Sequence, residues 1–316
     1  MQPDVRRWFS RRTFSGAATP ALDVLLAHKA GQSVSVVLPA RNEEATVARV
    51  VEAVVPLVRG GLVDELVVLD GNSTDATARI AAHAGATVLS IDDILPSYGP
   101  RHGKGEALWK GLYVTEGDLI VYLDTDLVGV TPSWVTGLLW PLLSEPEISL
   151  VKACYERPLA MPDQPEVPGG GRVTELTARP LLNLLWPHLA GIIQPLAGEY
   201  AARRSLLERI PYDGGYAVEL GLLLDTHEIV GLEGIAQVDL GVRRHRHQST
   251  QALGRMAAAI TAAALERADV PHQGTEIVQF ASTAEGFVPV ETPTGPRPRP
   301  PMIDIPEYAS RRARAS

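Results

Sequence analysis

Two aspartates follow an apolar stretch near the middle of the chain. Residues 119–123 (LIVYL) predict a buried strand, and Asp124, Thr125 and Asp126 come directly after it. Carboxylates at positions i and i+2 beyond a strand suit a hard divalent cation, whose remaining positions suit diphosphate oxygens. The same triplet also occurs in strand-ending turns and helix caps, so its meaning depends on the rest of the chain.

A lysine between two glycines is the first candidate anion-binding group. Lys104 lies between Gly103 and Gly105, directly before a predicted helix at 106–114. Glycines let the backbone approach a ligand closely, and an ammonium group meets a phosphate as a point charge. The spacing does not fit a Walker loop, and the alternative is a solvated lysine in a flexible loop.

A glycine run followed by an arginine is the second candidate. Residues 169–171 are all glycine, and Arg172, Val173 and Thr174 follow them. Consecutive backbone N–H groups can turn toward one anion, and a helix that begins near Thr174 would point its positive end there. The guanidinium adds a bidentate fork for phosphate or carboxylate. A plain linker after the proline-rich loop 158–168 is the alternative.

Two further candidates lie later in the chain. Glu219 leads into an apolar helix at 220–224, where its carboxylate either complements the helix dipole or accepts hydrogen bonds from sugar hydroxyls. A predicted strand at 235–242 runs into the basic run 243–247, which contains His245. Such a cluster could bring a neutral imidazole to a metal and guanidinium groups to phosphates. A solvated basic turn is the alternative.

Alternating strands and helices would position these residues. The strands predicted in the first part of the chain are 33–38, 66–69 and 87–90, and the helices between them are 43–55 and 76–84. This alternation predicts an α/β fold with a mostly parallel sheet, whose ligands collect at the carboxyl ends of the strands. The residues at such ends are Pro39, Asp70 and Asp124.

Composition excludes several classes of protein. The chain has 316 residues, 45% of them hydrophobic, which is enough for one large core or two unequal ones. A net charge of −8 argues against a nucleic-acid surface. The single Cys154 has no partner for an internal disulfide, which indicates a reducing cytoplasm. The most apolar stretch, 181–198, contains prolines and polar residues and does not read as a membrane span.

The chain divides into four predicted segments. We expect residues 1–32 to be an N-terminal helical extension and 33–150 to form a Rossmann-like half whose strand ends carry the candidate diphosphate and metal site. We expect residues 151–270 to form a second half, which carries the glycine-arginine anion motif and ends in a helix. Residues 271–316 are rich in proline and arginine, and we expect them to be extended or disordered.

The motifs together resemble one family of enzymes. Seven stretches carry the resemblance: 35–44 (SVVLPARNEE), 103–108 (GKGEAL), 124–126 (DTD), 169–176 (GGGRVTEL), 194–196 (QPL), 198–202 (GEYAA) and 242–245 (VRRH). In these stretches the chain resembles glucosyl-3-phosphoglycerate synthases, which are retaining glycosyltransferases of the GT-A fold found in actinobacteria. The resemblance covers about residues 20–270.

The resemblance implies transfer of glucose from UDP-glucose to the 2-hydroxyl of D-3-phosphoglycerate. It implies Mg²⁺ or Mn²⁺ as cofactor, held directly by Asp126 and His245, which with Glu219 form the catalytic set. The residues it assigns to the nucleotide sugar are Pro39, Ala40, Asn42, Glu43, Asp70, Lys104, Asp124 and Thr125. The residues it assigns to the acceptor and the transferred sugar are Gly171, Arg172, Val173, Thr174, Tyr216, Glu219 and Arg243.

The resemblance also implies a homodimer, and three other functions are alternatives to the synthase. The family forms homodimers, and the predicted helix 250–268 is a plausible contact. A mannosyl-3-phosphoglycerate synthase using GDP-mannose would share almost every motif. A polyprenyl-phosphate glycosyltransferase would share the first strand and the aspartates but would also need a membrane-association element. A nucleotide-sugar-binding protein without turnover is the alternative from a different class.

Overall fold

An eight-stranded mixed sheet forms the centre of the computed structural model, which describes residues 1–159, 167–168, 171–243, 249–295 and 298–315. Its strand order is β1-β10-β6-β9-β5-β2-β3-β4, and among the described strands of this sheet only β9 runs antiparallel to its neighbours. The strands of the sheet are β1 (Thr13–Ser15), β2 (Val34–Ala40), β3 (Glu65–Asp70), β4 (Thr87–Ser90), β5 (Leu119–Tyr122), β6 (Leu150–Glu156), β9 (Tyr200–Arg203) and β10 (Ile235–Val242). Two small antiparallel pairs lie outside it, β7 (Pro158–Leu159) with β8 (Val167–Pro168), and β11 (Glu276–Thr283) with β12 (Gly286–Pro293).

Helices cover both faces of the sheet. Alternate residues of β2 show this, because Val37 packs into one core cluster whereas Val36 and Leu38 pack into the other. A strand buried on both faces needs a continuous apolar run, which is why period-two alternation is absent from its sequence. The helices are α1 (Pro3–Arg12), α2 (Leu22–Lys29), α3 (Val47–Arg59), α4 (Thr77–Ala84), α5 (Lys104–Val114), α6 (Pro132–Ser144), α7 (Arg179–Leu185), α8 (Arg204–Leu207), α9 (Val218–Val230), α10 (Thr250–Arg267) and α11 (Pro306–Ala315).

The N-terminal segment belongs to the sheet as well as to the helical layer. β1 pairs in parallel with β10 at the sheet edge, and the indole N–H of Trp8 donates to the carbonyl of Ile235 at 2.8 Å. Arg12 forms ion pairs with Glu145 and with Glu147. Residues 1–32 therefore extend the sheet by one strand, beyond the helical role expected of them.

The C-terminal segment departs from the expected extended or disordered tail. Its described residues form the β11–β12 hairpin and α11, and the side chains of Met302, Ile305 and Tyr308 are buried in the main core. These three apolar residues recur every third position after the prolines. They hold the C-terminal segment against the core, a contact that the proline and arginine content alone did not indicate.

None of the described helices is both long enough and apolar enough to cross a lipid bilayer. The apolar stretch 181–198 is broken as its sequence suggests, because α7 ends at Leu185 and a 3-10 turn, Pro187–Leu189, follows.

Candidate active site

A cavity of about 530 Å³ opens at the carboxyl ends of β2 and β5. Aspartates, arginines, glycines and a few apolar side chains line it, and they come from both halves of the chain. The lining residues are Pro39, Ala40, Arg41, Glu43, Gly71, Gly103, Lys104, Ala107, Asp124, Thr125, Asp126, Arg157, Gly171, Arg172, Val173, Thr174, Leu196, Gly215, Tyr216, Glu219, Arg243, Leu253, Met256 and Ile260. Parallel α/β sheets place their ligand sites at this edge.

Lys104, at the first position of α5, forms ion pairs with two carboxylates in the cavity. Its ammonium contacts Asp124 and lies 2.8 Å from Glu219. Although burial alone would lower the pKa of Lys104, the charges of Asp124, Glu219 and Glu199 raise it well above its usual value. The lysine is therefore a permanent cation at the centre of the cavity.

Two glycines make this close arrangement possible. A Cβ at Gly198 would overlap the ammonium of Lys104 and lie 2.5 Å from Asp124 Oδ2. A Cβ at Gly105 would overlap the carbonyl of Asp213. The sequence motifs that contain these glycines therefore serve packing, since neither glycine has a positive φ.

Arg243 connects the aspartate pair to a buried glutamate. One terminal nitrogen lies 3.0 Å from Asp124 Oδ2 and 3.2 Å from Asp126 Oδ1, and its Nε donates to Glu199 at 3.0 Å. Glu199 is fully buried and also accepts a 2.7 Å hydrogen bond from the Tyr155 hydroxyl. The surrounding carboxylates raise the pKa of Arg243 well above its usual value despite the cost of burial.

Asp126 differs from Asp124 in its electrostatic environment. Burial, followed by the charge of Asp124, raises the pKa of Asp126 to about 6, whereas Lys104 and Arg243 lower the pKa of Asp124 despite its burial. Thr125 between them donates to the carbonyl of Pro39 at 2.8 Å, which ties the triplet to the end of β2. The protein therefore favours the charged form of Asp124 and disfavours that of Asp126, although one nitrogen of Arg243 contacts both.

The glycine-arginine motif lies at the same cavity. Gly171, Arg172, Val173 and Thr174 all line it, and a π-helical turn at Thr174–Ala178 leads into α7. The hydroxyl oxygen of Thr174 is buried and has no hydrogen-bond partner among the residues that the structure describes. A buried polar atom of this kind is normally paired, so its position is suited to a bound polar ligand. Gly169 and Gly170 lie outside the described residues.

Of the residues assigned to the nucleotide, some line the cavity and others lie outside it. Pro39, Ala40 and Glu43 line the cavity. Asn42 is exposed outside it, where its side-chain oxygen accepts from the backbone N–H of Thr74 at 2.8 Å. The cavity lining does not include Asp70 either, although its Oδ1 is buried and no described residue bonds to it.

Comparison with known proteins supports the motif-based expectation. The model of glycosyl transferase family 2 matches residues 35–165. Glucosyl-3-phosphoglycerate synthase from Mycolicibacterium smegmatis is 47% identical over 95% of this chain and 98% of its own length. The synthase from Petrotoga mobilis is 43% identical, with 90% of each chain covered. The chain belongs to the glucosyl-3-phosphoglycerate synthase family.

Solved structures of the family give the same result. The crystal structure of the Mycobacterium tuberculosis synthase with Mn²⁺, UDP and glucosyl-3-phosphoglycerate matches with a TM-score of 0.84 and 45% identity, over 92% of this chain and 98% of that one. Another structure of that synthase, in complex with Mg²⁺ and UDP, matches equally well, with a TM-score of 0.84. The prediction of a GT-A α/β fold with a mostly parallel sheet is confirmed.

The donor set at the aspartates fits the divalent ion that the synthase family implies. Burial, followed by the charge of Asp124, disfavours the charged form of the Asp126 carboxylate, and a bound cation would offset that cost. Carboxylate oxygens are the ligands that Mg²⁺ and Mn²⁺ prefer. His245, the other predicted ligand, lies outside the described residues, and within the described ones no three His, Cys, Asp or Glu side chains converge on a metal position.

Several cavity residues were missed by the sequence analysis. Arg157 directly follows the end of β6, and its guanidinium lies 5.7 Å from the Tyr155 ring. Its Nε is buried and has no partner within the described part of the chain. The strand-end rule that indicated Asp124 would have found it. Leu253, Met256 and Ile260 come from α10, and no local pattern distinguishes them from ordinary core residues.

Proposed function

We propose that this member of the family transfers glucose from UDP-glucose to the 2-hydroxyl of D-3-phosphoglycerate, with retention of configuration at the sugar carbon. The observation that carries the proposal is the joining of the aspartate triplet, Lys104 and the glycine-arginine motif at one cavity. The related M. tuberculosis synthase has been crystallised with Mn²⁺, UDP-glucose and phosphoglyceric acid together, which supports the same three ligands here.

The donor end of the cavity holds the nucleotide sugar. Pro39, Ala40 and Glu43 lie beside the uridine, and the unpaired Oδ1 of Asp70 is available to the nucleotide. Lys104 and Asp124 are placed at the diphosphate and ribose. Glu219 and Tyr216 are placed at the glucose, whose hydroxyls supply the donors that a carboxylate needs. Asn42 acts indirectly, through its hydrogen bond to Thr74 in the loop before α4.

Asp126 and His245 are the residues that would hold the divalent metal. Bound there, Mg²⁺ or Mn²⁺ neutralises the charge that develops on the departing diphosphate. Arg243, 3.2 Å from Asp126, orients that carboxylate and adds positive charge from the protein itself.

The acceptor end of the cavity binds the phosphate and carboxylate of 3-phosphoglycerate. The phosphate-binding groups are backbone N–H groups near Gly171, the guanidinium of Arg172 and the hydroxyl of Thr174, which is unpaired among the described residues. Val173 contributes an apolar wall. Arg157, on the neighbouring strand end, supplies a further positive charge to the acceptor.

The transfer step is a front-face substitution. Lys104 lies between Glu219 and Asp124, so neither carboxylate is presented as an unpaired nucleophile. The acceptor hydroxyl therefore attacks on the face that the diphosphate leaves. The bond between the sugar carbon and the phosphate oxygen breaks, the bond to the acceptor oxygen forms, and the hydroxyl proton passes to the leaving oxygen.

Product analysis tests this activity directly. Purified protein is incubated with 3-phosphoglycerate, Mg²⁺ or Mn²⁺, and a panel of UDP-, GDP- and ADP-sugars. We expect glucosyl-3-phosphoglycerate from UDP-glucose and its loss with a chelator or in Asp126→Ala. Turnover with GDP-mannose instead would favour a mannosyl transferase of the same fold, and binding without any product would favour a non-catalytic role.

We also propose that the protein is a cytoplasmic homodimer. The face formed by the π-helical turn and α7 exposes two leucines, Leu176 and Leu184, by 77% and 80% of their surface. A second copy would cover this face, and light scattering would give twice the mass of one chain. Charged substitutions at both leucines should yield monomers if this face is the contact. The single buried Cys154 agrees with a reducing compartment.

A further inference from the structure

A C-terminal arginine lies directly behind the donor end of the cavity. The side chain of Arg299 is only 4% exposed, and it donates to both carboxylate oxygens of Glu106, at 2.7 and 2.8 Å. The same guanidinium donates to the carbonyls of Tyr98 at 2.6 Å and Gly99 at 2.9 Å. One side chain thus joins the loop before Lys104 to the first turn of the helix that Lys104 begins.

An aromatic platform fixes the arginine in place. The guanidinium lies 5.1 Å from the centre of the Trp109 ring, and the indole N–H of Trp109 donates to the carbonyl of Pro300 at 2.9 Å. Glu106 has a second cation, Lys110, at 3.0 Å. Arg299 therefore fixes the orientation of the Glu106 carboxylate through two hydrogen bonds from its planar guanidinium. The ammonium of Lys110, a point charge, would not supply this orientation.

The backbone of Arg299 holds the other loop of the donor end. Tyr212 and Arg299 form an isolated antiparallel bridge, with reciprocal N–H to carbonyl bonds of 3.0 and 2.7 Å. Asp213 follows Tyr212, and its carbonyl packs against Gly105 in α5. The chain then passes through Gly215, whose backbone lies next to Gly103, before it reaches Glu219.

We propose that Arg299 is a positioning residue of the donor site, which sets Lys104 and Glu219 at their working separation. The inference rests on the proposed function for the roles of those two residues. It adds that the C-terminal segment is part of the donor site even though it does not line the cavity. A displacement of about 1 Å at a reacting centre costs about a hundredfold in rate, so removal of the Arg299 contacts should have a measurable effect on the site.

The test compares full-length Arg299→Lys and Arg299→Met with Arg311→Ala. Arg311 is the matched control, because it ties the same C-terminal segment to Glu116 and to the carbonyl of Val114, away from the donor loops. UDP binding is measured by calorimetry with Mn²⁺ present, KM is measured for both substrates, and thermal unfolding is followed for each variant. Binding is measured at least about 10 °C below each variant's own transition.

We expect Arg299→Met to weaken UDP binding and raise the UDP-glucose KM by about tenfold or more, with a smaller change in the 3-phosphoglycerate KM. Arg299→Lys, which keeps the charge beside Glu106 but loses the fork, should fold and show about a threefold to tenfold effect. Arg311→Ala should lower thermal stability without changing UDP affinity.

Unchanged UDP affinity in Arg299→Lys would overturn the proposal, even if Arg299→Met fails to fold. Equal losses of UDP affinity in Arg299→Lys and Arg311→Ala would also overturn the proposal, because that result indicates a purely structural role. UDP binding is measured without turnover, so absence of glucose transfer by the unaltered protein would overturn the proposed activity and leave this test intact. If GDP binds in place of UDP, the same comparison is made with GDP.

Discussion

At the scale of residues, the cavity works through charged groups that already contact one another. Asp124 accepts from Arg243 and pairs with Lys104, which also pairs with Glu219. A diphosphate that enters must compete with these carboxylates for the two cations. Its advantage is the divalent metal it brings into contact with Asp126, whose charge is otherwise disfavoured. Donor and metal binding should therefore be strongly interdependent.

Arg172 should separate acceptor binding from donor binding. Charge-assisted hydrogen bonds contribute about 1.5–3 kcal/mol, so Arg172→Ala should raise the 3-phosphoglycerate KM by about tenfold to a hundredfold. The affinity for UDP-glucose, measured by calorimetry, should change little. Arg209→Ala is the control, because Arg209 is exposed and does not line the cavity. An equal loss of UDP-glucose affinity in Arg172→Ala would place the glycine-arginine motif at the donor instead.

Lys152, beneath the site, should make stability depend on alkaline pH. Its side chain is fully buried, its ammonium donates to the carbonyl of Ala197 at 2.8 Å, and burial lowers the pKa of Lys152 to about 8. The unfolded chain, with a lysine pKa near 10.5, binds more protons than the folded chain between pH 8 and 10.5. This residue's contribution to stability therefore rises with pH in that window and is flat below it.

The measurement is urea unfolding of the unaltered protein and Lys152→Met at pH 7 and pH 9.5. From pH 7 to 9.5, the free energy of unfolding of the unaltered protein should gain about 2 kcal/mol relative to the variant. Other groups that titrate in this range cancel in the difference. A difference that stays constant between the two pH values would show that Lys152 is not the source.

At the scale of elements, the sequence predicted the parallel units well and the irregular ones poorly. The helix expected from residue 43 begins at Val47 instead, because side chains at the start of α4 and in the loop before it bind the turn at 42–44. Thr77, the first residue of α4, accepts from the N–H of Glu43 at 2.7 Å. β12 was missed because proline indicated disorder. Pro289 and Pro293 are compatible with a hairpin strand that has a free edge.

Gly105 tests how tightly α5 must pack. In an exposed helix, alanine is favoured over glycine by about 1 kcal/mol. At Gly105 a Cβ would overlap the backbone carbonyl of Asp213, and overpacking costs about 1–3 kcal/mol or more. We expect Gly105→Ala to lower the free energy of unfolding and to weaken UDP binding, since α5 carries Lys104.

The matched control is Gly254→Ala in α10. There the nearest atom to a new Cβ is the amide nitrogen of Gln279, at 2.8 Å, which is the far end of a flexible side chain. This variant should be neutral or slightly more stable in thermal unfolding. If both alanine variants change the stability of the protein equally, the close approach of α5 to Asp213 does not require glycine at position 105.

At the scale of the whole molecule, the site is assembled from positions between Pro39 and Ile260. The strand-end rule predicted its donor side, because parallel strands bring their ends together whatever their loops contain. It could not predict the contribution of α10, which packs over the π-helical turn and the Gly215–Ala217 turn through tertiary contacts alone. It also gave no indication that the C-terminal segment returns to the site.

The charge distribution of the molecule should select the acceptor by its anionic groups. The chain carries a net charge of −8, yet one cavity is lined by five cations, Arg41, Lys104, Arg157, Arg172 and Arg243, and by four carboxylates, Glu43, Asp124, Asp126 and Glu219. Because Lys104 and Arg243 pair with carboxylates, Arg157 and Arg172 are the cations that we assign to the anionic groups of the acceptor. Long-range repulsion is screened within about 10 Å at 0.1 M salt, so the local attraction decides binding.

Glycerate, which lacks the phosphate, should therefore be a far poorer acceptor than 3-phosphoglycerate. It would not supply the phosphate assigned to Arg172 and to the Thr174 hydroxyl, which is buried without another partner among the described residues, and an unpaired buried polar group costs about 1–3 kcal/mol. We expect kcat/KM to fall by at least about tenfold. Added salt should raise the 3-phosphoglycerate KM more than the UDP-glucose KM, because the donor's charge is shielded at the metal. Comparable kcat/KM for the two acceptors would refute this acceptor site and reopen the assignment of the glycine-arginine motif.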